Sequence, residues 1–261
     1  MWRGLPARTD FSLLIENEEW MVVGKPAPLI VHPTNNRPEV TLLGEMEKRW
    51  PGERFHFVNR LDRETSGCVL VAKTKEAAGF FGRQMMERKI KKVYRAIVKG
   101  WPDWDELEGN RPLIRKGEVE ESLIWVRQMV HSEGKESCTK FRCLERFERK
   151  RQRYAIVECV PLTGRTHQIR VHLEDVGFPI VGDKIYGGNE ECYLNFIEEG
   201  WSQNLLESLL IDRQALHGSG MKFEWQGEEV EATCPWPEEL KQFQLGVAPP
   251  SVLDSPHADD V

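Results

Sequence analysis

The apolar runs of this chain are short, and this limits what the chain can fold into more than any other feature. The longest readable run, Cys68-Val-Leu-Val-Ala72, has the length of a β-strand, whereas about 20 apolar residues are needed to span a bilayer. The N-terminus also lacks the apolar segment of a secretory signal. We therefore expect a cytoplasmic protein with no membrane partner. Hydrophobic residues make up 40% of the 261 positions, which is enough for a packed core.

Turn residues divide the chain into strand-like and helix-like segments. Strands are predicted at 11–15, 20–23, 29–31, 68–72 and 93–98, and a hairpin is predicted over 140–160. Helices are predicted over 41–50, from an N-cap at Thr74 to near Arg88, and from Thr166 to a stop at Gly177. Residues 190–212 read only as an enlarged acidic connection. These patterns predict an α+β fold with a mixed, mainly antiparallel sheet and flanking helices and loops.

The net charge of −6 is unevenly distributed along the chain. Residues 191–261 hold 14 acidic and 3 basic side chains, so the rest of the chain carries a charge of +5. The basic residues are densest at 83–95 and 140–153. Such patches are compatible with a polyanionic partner, but charge runs are more often solvated faces, and charge alone favours that interpretation.

The cysteines and histidines do not form a recognisable metal-binding pattern. The six cysteines include no C-x-x-C pair, which favours reduced thiols over a disulfide framework or a zinc site. His167 and His172 are five residues apart, whereas a helical metal pair needs a spacing of four. We therefore expect no metal.

A first dense polar segment, Asn59-Arg-Leu-Asp-Arg-Glu-Thr-Ser-Gly67, leads directly into the buried strand that follows it. Asp62 lies between Arg60 and Arg63, and these cations would keep its carboxylate ionised. Such a carboxylate can act as a nucleophile or a general base. A structural loop of salt bridges explains the same residues equally well.

A second polar segment is Thr163-Gly-Arg-Thr-His-Gln-Ile-Arg-Val-His172. It places Arg165 before a predicted helix N-terminus and Arg170 in the first turns, which suits a phosphate or carboxylate ligand. For His167 and Gln168, helix capping and core hydrogen bonding are the favoured interpretation.

Taken in order, these segments resemble the signatures of the RluA family of pseudouridine synthases. Asn59–Gly67 resembles H-R-L-D-x-x-T-S-G, and the likeness continues through the following strand. Further agreement comes from Lys92-Val-Tyr-Arg-Ala96, Leu162–His172, Gly24-Lys-Pro-Ala with Val31-His-Pro33, Gly182-Asp-Lys-Ile-Tyr-Gly187 and Ala215-Leu-His217. The resemblance runs from about residue 13 to residue 240, and several ordered motifs are a far more specific signal than one.

The resemblance implies a sheet core of the pseudouridine synthase type. It implies an N-terminal extension over 1–12, a catalytic domain over 13–245 without an S4-type RNA-binding domain, and a tail over 246–261 whose composition predicts disorder. The sequence departs from the family where Asn59 replaces the usual His. That position is not the nucleophile, so the departure does not put activity in doubt.

The resemblance also implies the chemistry. Asp62 matches the catalytic aspartate of an enzyme that breaks the N1–C1′ bond of a uridine and rejoins the uracil through C5, with no cofactor. Arg170 matches the arginine that pairs with this aspartate. Tyr94 matches the active-site tyrosine, which can stack on the uracil and take part in proton transfer.

RNA is the implied partner, with ribosomal RNA preferred over transfer RNA, and a monomer is the expected state. Arg60 matches the position that fills the gap left by a flipped nucleotide. The other candidate RNA contacts are Arg63, Lys92, Arg165 and His167, and residues 83–95 would follow the RNA backbone.

Two alternatives remain. One is a member of the same fold that binds RNA without catalysing a reaction, although the joint presence of Asp62, Tyr94 and Arg170 argues against it. The other is a carboxylate hydrolase such as a glycosidase. That enzyme needs two carboxylates around one bond, and Glu64 is the sole close candidate for the second.

Overall fold

The computed structural model describes residues 5–33 and 40–247. Its strands are β1 (Ser12–Glu16), β2 (Trp20–Lys25), β3 (His56–Phe57), β4 (Ser66–Ala72), β5 (Lys91–Lys99), β6 (Glu106–Asn110), β7 (Leu113–Arg115), β8 (Gln128–Val130), β9 (Cys138–Arg149), β10 (Gln152–Pro161), β11 (Leu216–Trp225) and β12 (Glu228–Thr233). Its α-helices are α1 (Leu42–Arg49), α2 (Lys75–Met86), α3 (Gln168–Asp175), α4 (Glu191–Glu199), α5 (Gln203–Leu209) and α6 (Glu238–Gln244). No helix in these ranges is both long and apolar enough to cross a membrane.

The chain divides into two units. The Asp62 unit consists of Pro6–Tyr94 and His217–Pro235, and the Arg170 unit consists of Met1–Leu5, Arg95–Leu216 and Trp236–Val261. The pairs β1–β2, β2–β4, β3–β4, β6–β9, β7–β8, β9–β10 and β11–β12 are antiparallel, whereas β4 and β11 run parallel. The predicted α+β fold with a mixed, mainly antiparallel sheet is confirmed.

In the Asp62 unit, β2 and β4 are buried on both faces. Successive strand side chains point to opposite faces, so the two strands supply two separate clusters. Cys68, Leu70 and Ala72 pack on one side with Phe81 of α2. On the other side, a second cluster contains Val69, Val71, Leu42 and Met46. Burial on both faces explains why these strands read as continuous apolar runs.

The Arg170 unit is built around the long β9–β10 hairpin, with β6 paired to the outer side of β9. The hairpin turns at Lys150 and Arg151, which both have positive φ angles, of 49° and 63°. Two central turn residues with positive φ match the right-handed twist of the flanking strands. Helix α3 packs on β8, β9 and β10.

Two local predictions are wrong. The strand predicted at 29–31 is only a bridge from Ile30 to Thr41, because its backbone groups are used elsewhere. The Leu29 amide donates to the Arg63 carbonyl, and the first amides of α1 donate to the carbonyls of residues 30 and 31. The helix predicted to open at Thr166 begins at Gln168, because His167 has a left-handed backbone with φ of 56°.

The acidic connection over 190–212 contains α4 and α5, which the sequence patterns did not predict. The predicted disorder of the tail falls outside the described residues except at positions 246 and 247. The first four residues of the predicted N-terminal extension also fall outside the described residues.

Candidate active site

Asp62 lies in the loop between β3 and β4, and Asn59 ties this loop to β4. The Asn59 Oδ1 atom accepts a hydrogen bond from the Leu70 amide at 2.8 Å, and its Nδ2 donates to the Cys68 carbonyl at 3.3 Å. The preceding Val58 amide donates to the Leu70 carbonyl. The Asn59 side chain therefore continues, along β4, the hydrogen bonding that β3 begins.

A buried lysine holds the other side of the loop. Lys25 Nζ donates to the carbonyls of Leu29 at 2.5 Å, Pro26 at 3.0 Å and Arg63 at 3.2 Å. The Arg63 carbonyl also accepts from the Leu29 amide, and the Asp62 carbonyl accepts from the Thr65 amide at 3.1 Å. The backbone on both sides of the half-buried Asp62 is thus held by contacts from distant parts of the Asp62 unit.

The Thr-Ser-Gly end of the segment allows β4 and β11 to meet closely. Gly67 has a φ of 122°, and a Cβ at this position would clash with the Gly218 backbone. Next to it, the Ser66 hydroxyl and His217 Nδ1 are hydrogen-bonded at 2.8 Å. Glycine is therefore required at position 67 both by its backbone conformation and by the space available.

Tyr94, at the end of the β5 segment in this unit, lies near enough to Asp62 for the charge of that carboxylate to affect its hydroxyl. It packs against the cluster that contains Leu61 and Val69. Burial raises the pKa of Tyr94 well above its ordinary value, and the negative charge of Asp62 raises it further. The Tyr94 phenol is therefore neutral at physiological pH and can donate a hydrogen bond.

The remaining predicted residues of this unit are cationic. Arg60 is exposed, whereas Arg63 and Lys92 are half-buried. Burial lowers the pKa of Lys92. His32 stands edge-on to Phe57, with ring centroids 4.6 Å apart, and burial and the charge of Arg60 lower the pKa of its imidazole. His32 thus presents a neutral ring within the field of Arg60.

In the Arg170 unit, the Arg170 guanidinium forms a bidentate pair with Asp183. The Arg170 Nε–Asp183 Oδ2 distance is 2.6 Å and the Nη2–Oδ1 distance is 2.9 Å. Burial would raise the pKa of Asp183, but the charge and hydrogen bonds of Arg170 and the amides of Ile185 and Tyr186 outweigh it and lower the pKa. The Arg170 guanidinium also lies over the Tyr186 ring, 4.9 Å from its centroid. Its position is therefore fixed within its own unit.

His167 is placed by Tyr186. The Tyr186 hydroxyl oxygen accepts from the Gln128 amide, and this hydroxyl lies 2.9 Å from His167 Nδ1. The tyrosine proton is therefore available to Nδ1. Arg165 is exposed, and its Nε donates to the Glu136 carbonyl at 3.1 Å.

Gln168 and His172 are structural. Gln168 Oε1 accepts from the Thr163 hydroxyl and the Arg165 amide. His172 is fully buried between the hydroxyls of Ser137 and Thr139, and burial lowers the pKa of its imidazole. Across residues 5–33 and 40–247, no group of three or more His, Cys, Asp or Glu side chains could hold a metal ion.

The predicted residues are therefore divided between the units. The Asp62 unit contains Asp62, Tyr94, Arg60, Arg63 and Lys92, and the Arg170 unit contains Arg165, His167 and Arg170. Sequence reasoning assigned no role to three supporting residues, namely Lys25, His32 and Asp183. All three lie inside the short motifs that carry the family resemblance, and this was the signal that could have identified them.

Comparison with known proteins agrees with the motifs. Residues 19–175 match the family model described as RNA pseudouridylate synthase. The ribosomal large subunit pseudouridine synthase D of Xanthomonas campestris is 32% identical over 250 residues, covering 91% of this chain and 70% of that protein. The Pseudomonas aeruginosa protein of the same name is 33% identical over 239 residues, covering 88% and 70%. The structure of human RNA pseudouridylate synthase domain containing 1 superposes with a TM-score of 0.70 at 27% identity, covering 96% of this chain and 94% of that one.

Proposed function

Because the chain belongs to the RluA family of RNA pseudouridine synthases, an isomerase family, we propose that it converts specific uridines of ribosomal RNA to pseudouridine with Asp62 as the catalytic carboxylate. The bacterial relatives are named as synthases of the large ribosomal subunit, which supports ribosomal RNA over transfer RNA. The observation that carries the proposal is the firmly held loop that presents Asp62 beside Tyr94.

The reaction is an isomerisation in which the RNA gains and loses no atoms overall. The N1–C1′ bond breaks, the uracil turns, C5 bonds to C1′, and the proton displaced from C5 is balanced by one taken up at N1. An ionised Asp62 can either attack C1′ or stabilise the positive charge that develops on the sugar as the bond breaks. Both routes need a carboxylate held in a fixed position, which the contacts of Asn59 and Lys25 provide.

Access to the glycosidic bond of a paired or stacked uridine requires that the nucleotide leave the stack. Arg60 is exposed two residues before Asp62, where its guanidinium can occupy the gap that the flipped base leaves. The exposed cations Arg83, Arg88 and Lys91 belong to the same unit. These charges suit contacts with phosphates on either side of the target.

The first test is the isosteric variant Asp62→Asn. Formation of the C5–C1′ bond releases the C5 hydrogen, so tritium release from RNA labelled at uracil C5 measures the reaction directly. We expect Asp62→Asn to abolish release while RNA binding and the unfolding midpoint stay near those of the parent. Asp10→Asn makes the same chemical change at an exposed position of the same unit and serves as the control. Turnover by Asp62→Asn would remove this residue from the mechanism.

The second test concerns the Tyr94 hydroxyl. Stacking on the uracil needs only the ring, whereas proton transfer needs the hydroxyl. General acid–base catalysis contributes about 10²–10⁴-fold, so we expect Tyr94→Phe to lower tritium release by about this factor with RNA binding retained. Tyr154→Phe, in the Arg170 unit, is the matched control. Parental activity in Tyr94→Phe would leave the ring with the stacking role alone.

A pseudouridine map distinguishes an active synthase from an RNA-binding member of the family without catalysis. Total RNA from cells with and without the gene is labelled with carbodiimide and read by primer extension, with Asp62→Asn as the complementing control. A site that the parent restores and Asp62→Asn does not identifies both the activity and the target uridine. Loss of no site, together with RNA binding in vitro, would favour the silent alternative.

A further inference from the structure

Two cysteines that are far apart in the sequence meet in the Asp62 unit. Gly67 of β4 pairs with Gly218 of β11, and the Cys234 amide donates to the carbonyl of the next β11 residue, Ser219. Cys68 follows Gly67 directly and belongs to the buried cluster against which Cys234 packs, and each of the two thiols is the largest influence on the pKa of the other. The chain thus places two sulfur atoms in contact without an existing disulfide.

A glycine on the neighbouring strand makes room for this contact. Gly24 of β2 is the register partner of Cys68 on β4. A Cβ built at Gly24 would lie 3.1 Å from Cys234 Sγ, and it would also clash with the Ser12 hydroxyl. The Cys234 thiol therefore lies over the bare backbone of Gly24, directly beside Cys68.

His217 completes the cluster. Its Nε2 faces the Cys234 carbonyl oxygen at 3.2 Å, and because a carbonyl only accepts, Nε2 carries a proton. Its Nδ1 is held by the Ser66 hydroxyl at 2.8 Å. His217 and Cys68 are therefore the titratable groups that act on the Cys234 thiol.

These neighbours favour the thiolate of Cys234. The neighbouring Cys68 thiol, followed by the imidazole of His217, lowers the pKa of Cys234 against the opposing effect of burial. The same contact, with burial, raises the pKa of Cys68, which therefore stays the proton donor. Cys138 and Cys143 are half-buried like Cys234, but burial raises the pKa of both thiols.

We infer that Cys234 is an oxidation site that reacts with peroxide and that Cys68 resolves the product to a Cys68–Cys234 disulfide. The Cys234 thiolate attacks one peroxide oxygen, the O–O bond breaks, and the departing hydroxide takes a proton and leaves as water. The Cys68 sulfur then attacks the Cys234 sulfenic acid, and a second water leaves as the S–S bond forms. Each sulfur gives up one electron and the peroxide takes up two, so the step is balanced.

The first experiment uses the unaltered protein, with Cys143 as an internal control. Iodoacetamide is added at pH 6, and the alkylation rate of each cysteine peptide is followed by mass spectrometry. At this pH the thiolate fraction of Cys234, whose pKa is lowered, exceeds that of Cys143, whose pKa is raised by burial, while the lower intrinsic nucleophilicity of an acidic thiol offsets part of this difference. We expect Cys234 to react at least about ten-fold faster than Cys143. Equal rates would overturn the inference.

The second experiment detects the disulfide. The protein is treated with hydrogen peroxide, remaining thiols are blocked, and the digest is searched for a Cys68–Cys234 cross-linked peptide that dithiothreitol removes. In Cys68→Ser, the resolving thiol is missing, so a Cys234 sulfenic acid should accumulate and react with dimedone, whereas Cys143→Ser should form the cross-link as the parent does. Absence of the cross-link from the unaltered protein would contradict the inference without the need for any variant.

Discussion

The structure assigns Asn59 a local structural role that can be measured at a single amide. Its Oδ1 accepts from the Leu70 amide at 2.8 Å, where no further residue of β3 is present to do so. In Asn59→Ala this buried N–H loses its acceptor, at a cost of about 1–3 kcal/mol. The 3.3 Å bond to the Cys68 carbonyl is longer and adds less. Since about 1.4 kcal/mol corresponds to a factor of ten, we expect hydrogen exchange at Leu70 to accelerate roughly 5–150-fold.

The assay is hydrogen–deuterium exchange read at residue level by NMR or by fragmentation mass spectrometry. Asn204→Ala, on the exposed side of α5, is the control and should leave the exchange of Leu70 unchanged. Because Asn59 lies three residues before Asp62, a looser loop should also slow tritium release while RNA binding persists. A change of less than two-fold at Leu70 in Asn59→Ala would refute the anchoring role.

Two further predictions concern stability in the Arg170 unit. Asp183→Asn should lower the free energy of unfolding by about 3–5 kcal/mol, because it removes the charge that pairs with the buried guanidinium of Arg170. Urea unfolding measures this change. The control is Asp175→Asn, whose ion pair is partly exposed, and an equal effect in the two variants would contradict the prediction. Burial lowers the pKa of His172 in the folded state below the unfolded value of about 6.5. Neutral His172 therefore contributes fully to the free energy of unfolding above about pH 6.5, and this contribution is lost as the pH falls towards the folded pKa. The urea midpoint should therefore fall more between about pH 7.5 and 5.5 in the parent than in His172→Gln, and parallel pH profiles would exclude this.

The strands that sequence patterns predicted best are those buried on both faces. β2 and β4 read as apolar runs because both of their faces are covered. β6, by contrast, reads Glu-Leu-Glu-Gly-Asn and has an exposed or half-buried side chain at nearly every position. Its strand conformation comes from pairing with β9, whose partner residues lie 28 to 36 positions further along the chain, and no local pattern contains that information.

Helices α4 and α5 were missed for a related reason. The acidic composition of 190–212 predicted only a connection, yet Cys192, Phe196, Leu205 and Leu209 form one buried cluster with Leu5. Most helical stability comes from packing of an amphipathic face. Part of this cluster, Leu5, lies almost two hundred residues away in the sequence, and no local pattern contains that contact.

At the candidate site, too, the sequence predicted local features but not long-range contacts. The motif placed Asp62 in a loop at the start of a buried strand, and the structure agrees. It could not show that Lys25 holds the Arg63 carbonyl or that Asp183 holds Arg170, because a polar side chain does not indicate its partner. The catalytic role of Asp62 and the pairing of Arg170 with it stay predictions that the proposed variants test.

The length of the Asn59–Gly67 segment follows from how the loop is built. Asn59 bonds the backbone of β4, Ser66 bonds His217, and Gly67 allows β11 to approach. Most residues of the motif therefore hold the loop in position, and an RNA-binding member without catalysis would need them as much as an enzyme does. The motif as a whole cannot separate these two functions, but the charge of Asp62 can. The isosteric Asp62→Asn leaves the residues that hold the loop unchanged and removes only the charge. Loss of turnover with retained folding and RNA binding would therefore assign catalysis to that carboxylate.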